Sequence, residues 1–329
     1  MRTLRPYLPV LVLGVLLALA PLFVTSNVVL NFLVFTLTVA LAAQGWNLLG
    51  GFGGQFSFGH AAFFGTGAYA SAIWQMQLGF DAWTGFVAGT LAGALAGLVI
   101  GFLSFRAGLR GSYFALVTLA FAEVFRVLAN SSEVTGGAAG LLLPLKIGAE
   151  NLQFADRATF LGFVVALVIV VLLLVQWIRG SRFGAQLVAL RENEEAARAL
   201  GVDVLVVKLK AICLSGAITA AAGVLYLQYF LFIDSGIAYG TWISVEVLLA
   251  AIVGGLGTVL GPVVGALALH GVGELAKSLA GGLPGIDLAV YGAVLVVAVA
   301  FLPGGLVGIV RRRDRPRPVR DAAPVEGEA

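Results

Sequence analysis

Apolar stretches of about 20 residues recur along this chain, and each is long enough to carry a helix across the hydrocarbon core of a bilayer. The run 158–178 contains no Asp, Glu, Lys or Arg. The rest of the chain cannot turn this into a soluble design. Its 37 charged side chains make up 11% of 329 residues, against about 25% in soluble domains. Hydrophobic residues reach 60%, where soluble domains hold about 45–50%. The 44 glycines fit the same class, because small residues let helices approach closely where lipid gives no hydrophobic drive to associate. The fold class is therefore an all-α polytopic membrane protein.

Other classes fall quickly. A single cysteine, Cys213, makes no internal disulfide and no Cys-rich metal site. His60 and His270 are far apart, and no HExxH occurs. No lysine follows a glycine, so the GxxxxGK[ST] phosphate loop is absent, and there is no GxSxG elbow. No catalytic residue, metal or cofactor is expected. The net charge of +3 is not a nucleic-acid signature, since the basic residues cluster beside apolar runs, where they act as topology signals.

The start, Met1 to Arg5 followed by an apolar run to Val24, imitates a secretory signal, with Ala18-Leu19-Ala20 resembling a cleavage site. Pro21 and further apolar sequence argue for a retained first span over 7–24. Further spans are expected at 28–49, 83–105, 111–129, 158–178 and 209–232, with glycine-broken regions at 50–77 and 243–275 and a last span near 286–310. That makes about 8–10 segments, some discontinuous. Arg2 and Arg5, Arg106 and Arg110, six basic residues in or beside the loop around 179–210, and six arginines from Arg311 to Arg320 fall on one face. These are sixteen of the twenty basic residues, which makes that face cytoplasmic and places both termini there. Lys146, Arg157 and Lys277 fall to the opposite face. Region 243–275 must then cross an even number of times, or dip in and return. Residues 1–310 form the transmembrane domain, and the basic tail 311–329, with Pro316 and Pro318, is expected to be disordered.

Two glycine-rich breaks interrupt the apolar sequence. Gly50 to His60 contains Gly53, Gly54, Gln55, Ser57 and His60, and Gly254 to Pro262 contains Gly254, Gly255 and Gly257. Broken helices in separate halves point to a translocation pathway; the alternative is that the glycines only permit tight packing. Gln55, Ser57 and His60 carry donors and acceptors for exposed backbone there, or for a substrate's amino and carboxylate groups.

The longest polar insertion on the basic side is the loop about 180–208. Within it, Asn193 is a good N-cap, Glu194 and Glu195 occupy a first turn, and Arg198 lies four residues after Glu194 in the favourable order for an ion pair. Gly201 suits the left-handed residue that ends a helix. A helix of about two turns is expected, either a solvated connector or a docking element.

The pattern Glu195-Ala196-Ala197-x-x-x-Gly201 resembles the EAA-type coupling loop of ABC importer permeases, in which a short cytoplasmic helix docks on an ATPase subunit. Gly54-Gln55-Phe56-Ser57-Phe58-Gly59-His60-Ala61-Ala62-Phe63-Phe64-Gly65 is similar to a signature of branched-chain amino-acid permeases. Gly111-Ser112-Tyr113-Phe114-Ala115-Leu116 resembles a second signature, of the LivM type, and Ser244 to Leu249 with Gly254 to Gly257 and Gly261 to Ala266 resembles a third. Thr135-Gly136-Gly137-Ala138-Ala139 departs from the family, with two alanines in place of an expected Pro-Asn.

The resemblance implies a type II-like ABC importer permease of the cytoplasmic (inner) membrane, paired with a second permease of the LivH type. Two cytoplasmic ATPases and an extracytoplasmic substrate-binding protein would complete it, with leucine, isoleucine and valine as cargo. Glu194, Glu195, Ala196, Ala197, Arg198 and Gly201 would then couple to the ATPase, and hydrolysis would occur in that partner chain. A permease of this class for urea, amides or other amino acids is the near alternative. A stand-alone secondary transporter is the distant one, and it leaves the helix at 194–199 without a role.

Three charges lie within apolar regions. Glu123 and Arg126, three apart, share a helix face and suit a structural or gating pair. Glu246, in the second broken region, either ties moving helices together or faces headgroups. His270 is expected to pack or to sit at an interface, and Trp46, Trp74, Trp83, Trp177 and Trp242 are expected to form interfacial belts.

Overall fold

The computed structural model describes residues 7–24, 26–279 and 304–312, together with 285, 289–290, 292–294 and 296. Most of the span expected near 286–310, and the tail beyond Arg312, lie outside the described residues. The long helices are α1 (Leu8–Phe23), α2 (Asn27–Trp46), α3 (His60–Met76), α4 (Ala82–Arg106), α5 (Gly111–Ser131) and α6 (Arg157–Gly180). The basic segment folds as α7 (Arg182–Glu192) and α8 (Glu194–Ala199). Then come α9 (Val204–Phe230), α10 (Ser235–Tyr239), α11 (Thr241–Gly254), α12 (Gly261–Leu279) and α13 (Gly305–Arg312). Among the described residues, six stretches are long and apolar enough to cross a membrane: Asn27–Phe52, Ala82–Arg106, Gly111–Ser131, Arg157–Gly180, Val204–Phe230 and Ser235–Gly254.

Where these helices begin at a polar segment, a short acceptor starts them. Asp81, Asp156, Ser181, Asp203 and Asp234 each accept a hydrogen bond from a backbone N–H in the first turn of the helix that follows. Those N–H groups have no intrahelical acceptor, so the cap fixes the entry point of each helix.

The core is organised around α9, which packs against α2, α3 and α4. One face of α4 is a stripe of buried glycines, of which Gly85 lies against α3, Gly89 against α3 and α9, and Gly93, Gly97 and Gly101 against α9. The spacing of four places them on one side of the helix. A Cβ at Gly97 would lie 2.7 Å from the Ile212 carbonyl oxygen, and one at Gly93 would strike the Ala220 methyl. Backbone thus meets backbone, which only glycine allows. From Val87 to Leu103 the exposed side chains of α4 are all apolar, with Val87, Leu91, Leu95 and Leu103 among them.

Two interruptions shape the interior. After α2 the chain makes one π-helical turn, Asn47–Phe52, then runs irregularly to His60. The second half is broken twice, where the sequence suggests one break: at Gly240, between α10 and α11, and at residues 255–260, between α11 and α12. Gly240 escapes a hydropathy reading because Ser235–Gly254 is, on average, apolar enough to read as one helix. The α3 and α11 N-termini meet, with the Ala61 N–H donating to Ser244 Oγ at 2.9 Å. Helices α11 and α12 form an antiparallel hairpin, since Gly254 lies against Gly261 and Glu246 reaches His270. The region 243–275 therefore folds as a helical hairpin whose two ends lie on the same side, as an even number of crossings or a dip and return requires.

At one end, the segment 132–156 forms a lid of short turns. It includes a two-residue strand, β1 (Leu141–Leu142), paired antiparallel with β2 (Phe232–Ile233). Gly136 and Gly137 there have φ of 75° and 55°. At the other end lie the α4–α5 turn and the basic segment 180–203, held together by the pair Arg110–Glu194 at 3.3 Å.

Candidate functional site

The polar segment at the basic end is built from local signals. Ser181 caps α7, and Asn193 Oδ1 accepts from the N–H groups of Glu195 and Ala196 at 3.0 and 2.9 Å, capping α8. Gly201 takes φ 85°, the left-handed conformation that ends the helix. Along α8 only Ala197 is buried, while Glu195, Ala196 and Arg198 are exposed and Leu200, just past its end, is 85% exposed. The result is a short capped helix with an outward face.

Two anchors hold it. Glu194 accepts from Lys208 Nζ on α9 at 2.7 Å, from Arg110 at 3.3 Å and from Arg198 at 3.4 Å. Its side chain is 14% exposed and that of Lys208 only 5%, so this inner pair is poorly screened by solvent. The other anchor is Arg191, the last basic residue of α7. Its Nη1 donates to the Gly51 carbonyl at 3.0 Å, inside the π turn.

Both glycine-rich breaks converge on this second anchor. Asn47 Oδ1 accepts from the Gly257 N–H at 2.8 Å and its Nδ2 donates to the Thr258 carbonyl at 2.9 Å. Gln44 Nε2 donates to the Val259 carbonyl. A Cβ at Gly257, where φ is 66°, would meet the Gly51 carbonyl and Arg191 Nη1 at 3.0 and 3.1 Å. Gly53 and Gly54 lie against Leu187 and Arg191 of α7. The glycines read as a helix break are therefore brought together as a junction seated on the basic segment. Gly254 and Gly255 belong to the same turn, Gly254 packing on Gly261 and Gly255 on the backbone of Gly305.

Ser57 and His60 lie apart from that junction, further along the first break. His60 is fully buried, with Nδ1 3.2 Å from Ser57 Oγ and Nε2 2.8 Å from Ser215 Oγ on α9. Both ring nitrogens are thereby engaged within the fold. Gln55 is half-buried, and its amide donates to the Gly53 carbonyl. Trp46 corrects the interfacial reading: it is 0% exposed, and its Nε1 donates to the Ser57 carbonyl at 2.7 Å. An indole N–H next to a break supplies a donor for a carbonyl that no helix satisfies.

The intramembrane charges divide. Arg126 grips Glu123 with two bonds, Nε to Oε2 at 2.9 Å and Nη2 to Oε1 at 2.6 Å. This pair stands on the exposed face of α5. Glu246 is buried, with Oε1 3.0 Å from His270 Nε2 on α12. His270 in turn reaches Thr36 on α2 at 2.9 Å and stacks on Phe35. His270 is thus an interior ligand of three helices, not an interfacial residue. Arg110, Arg191, Lys208, Asn47 and Thr36 are structural partners that sequence reasoning missed. Only the positive charge of the first three marked them, and that charge had been read as topology.

Compared with known proteins, the chain matches, over residues 28–299, a family model described as the permease component of branched-chain amino acid transport systems. It is 30% identical over 326 residues to the high-affinity branched-chain amino acid transport system permease protein LivM of Escherichia coli K12, covering 92% of this chain and 75% of that one. LivH of Salmonella typhimurium, a permease protein of the same system, is 27% identical, with 82% and 91% covered. A probable branched-chain amino acid transport permease protein LivM of Methanocaldococcus jannaschii is 25% identical over 61% of each chain. No solved structure matches the chain.

Proposed function

This chain belongs to the family of permease components of branched-chain amino acid transport systems, and from that premise we propose that it is the LivM-type half of an ATP-driven importer for leucine, isoleucine and valine. Its partners on this reading are a LivH-type permease, two cytoplasmic ATPases and an extracytoplasmic binding protein. The names of its relatives support the cargo, and likeness to both LivM and LivH supports a pair of homologous permeases. The grouping of sixteen of twenty basic residues supports an inner-membrane topology with cytoplasmic termini.

The observation that carries the reading is α8. It is a short, capped helix whose outward face makes no use of Glu195 or Ala196, while its inner side is bonded to α9, to the α4–α5 turn and, through α7, to both glycine junctions. An ATPase groove that received this helix would move all of them together. The permease then needs no covalent chemistry, only two packings of similar free energy that its partners bias. Gly53, Gly54, Gly254, Gly255 and Gly257 serve that shift as the junction beneath the helices. Ser57, Gln55 and His60 brace the break above it. The Glu123–Arg126 pair faces the second permease and the path between the two.

Glu195→Lys tests the docking role, because Glu195 is exposed and sits at the helix N-terminus without bracing another element. Reversing its charge there should cost the helix only about 0.3–1 kcal/mol. In the reconstituted assembly, the variant is expected to insert normally and to lose roughly tenfold in uptake per ATP hydrolysed, about 1.4 kcal/mol of coupling. Uptake and ATP hydrolysis both at wild-type levels would remove α8 from the mechanism. Purification in mild detergent should bring down two Walker-type ATPases with a second permease.

A further inference from the structure

One carboxylate at the basic end has more partners than a cap or a simple ion pair requires. Glu194 opens α8, yet its bonds leave the segment in two directions. One goes to Arg110, which immediately precedes the first residue of α5. The other goes to Lys208 on α9, whose Nζ lies 5.3 Å from the centre of the Phe105 ring in the last turn of α4. Phe105 in turn stacks on Phe114, in the first turn of α5, with ring centres 4.8 Å apart. Both routes end on the same turn of the same helix.

The surroundings suit movement rather than a fixed strut. A cavity of about 70 Å³ lies between the routes, lined by Phe105, Leu109, Arg110, Glu194, Arg198 and Lys208. Arg110 and Arg198 are 48% and 59% exposed, so their bonds to Glu194 re-form at little cost, whereas the Glu194–Lys208 pair, 14% and 5% exposed, is largely shielded from solvent. Gly108 and Gly111, with φ of 72° and 53°, flank Arg110 and let the α4–α5 turn swing without strain in its side chains. Helix α5 meets α4 over a far smaller contact than α9 does, so its first turn can shift without carrying α4 along.

We propose that Glu194 is the positioning residue that passes displacement of α8 to the first turn of α5, directly through Arg110 and indirectly through Lys208, Phe105 and Phe114. The shielded pair sets the resting position of α8 against α9, and the exposed arginine follows it. Helix α5, which carries Glu123 and Arg126, is on this account the part of the permease that the ATPases address. The proposal rests on the reading that α8 docks an ATPase.

Its test keeps the two readings apart. In the full assembly, with Cys213→Ala to remove the native thiol, spin labels are placed in pairs: Trp177→Cys with Leu200→Cys, and Trp177→Cys with Tyr113→Cys. All three positions are strongly exposed. Pulsed electron resonance then reports how far the end of α8 and the start of α5 move from the end of α6 when nucleotide is trapped with vanadate. In the otherwise unaltered protein both distances should change. With Glu194→Gln, the Leu200 distance should still change and the Tyr113 distance should not, with uptake lost. If both distances still change in Glu194→Gln, the relay is overturned while docking stands. If neither changes in the unaltered protein, docking itself falls and takes the relay with it. Should Glu194→Gln fail to assemble, Arg110→Gln combined with Phe105→Leu severs both routes and spares the shielded pair, with the same outcomes expected. In the Phe105→Leu background, Arg110→Lys, which keeps the charge and with it the direct route, should restore the movement at Tyr113 that Arg110→Gln abolishes.

Discussion

Asn47 illustrates how much a single buried amide does here. It joins residues 211 positions apart by closing two hydrogen bonds on the turn after α11. In Asn47→Leu the Gly257 N–H and the Thr258 carbonyl lose their partners, at about 1–3 kcal/mol for each group left unsatisfied in a buried place. The variant is expected to melt several degrees lower in detergent and to be taken apart by protease at that turn first; an unchanged melting curve would mean water replaces the amide. Residues of this kind were not legible in the sequence. Asn193 and Gly201 were, because a cap depends only on its nearest neighbours and on local backbone conformation. Glu246 stood out as a charge in an apolar region, yet its partner His270 lies on another helix, and no spacing rule links them. Trp46 was misread for the same reason: the indole looks interfacial until the break that needs its N–H is known.

At the scale of the element, hydropathy located the long helices to within a few residues, because the bilayer sets their length. It was blind to interruptions that keep their apolar character. The glycines from Gly50 mark the first break in the sequence, but hydropathy shows neither its π-helical geometry nor the break at Gly240. The glycines of α4 are a middle case. Their spacing of four is written in the sequence, but its meaning depends on α9 presenting Ala220 and the Ile212 carbonyl opposite. Gly97→Leu should therefore be far more damaging than Leu95→Ala, two residues away on the exposed face. The first drives backbones apart along the contact; the second trims an already exposed side chain. The expected readout is loss of the monodisperse peak in detergent for Gly97→Leu alone. Equal yields would mean that the two helices separate freely.

For the whole molecule, two helices with equal burial tell different stories. Helices α4 and α5 each have 28% of their apolar window buried. Between its ends, from Val87 to Leu103, the open face of α4 is apolar, as lipid requires, while that of α5 carries Glu123 and Arg126 among Leu116, Val124 and Val127. A charged pair costs several kcal/mol in hydrocarbon, about 2.5–3.5 for each ion on insertion scales, so this face belongs against protein or water. Cysteines at Leu116 or Val127 are expected to cross-link to the second permease in the assembled importer, whereas cysteine at Leu91 on α4 is not. Labelling of Leu116→Cys only by a lipid-soluble reagent would count against the pairing. The glycine stripe then acquires a kinematic sense. At Gly93 and Gly97 the backbones meet with at most a methyl group between them, so few rotamers can change there and α4 and α9 move together. The stripe acts as a weld, and any hinge of this machine must be sought elsewhere in the chain.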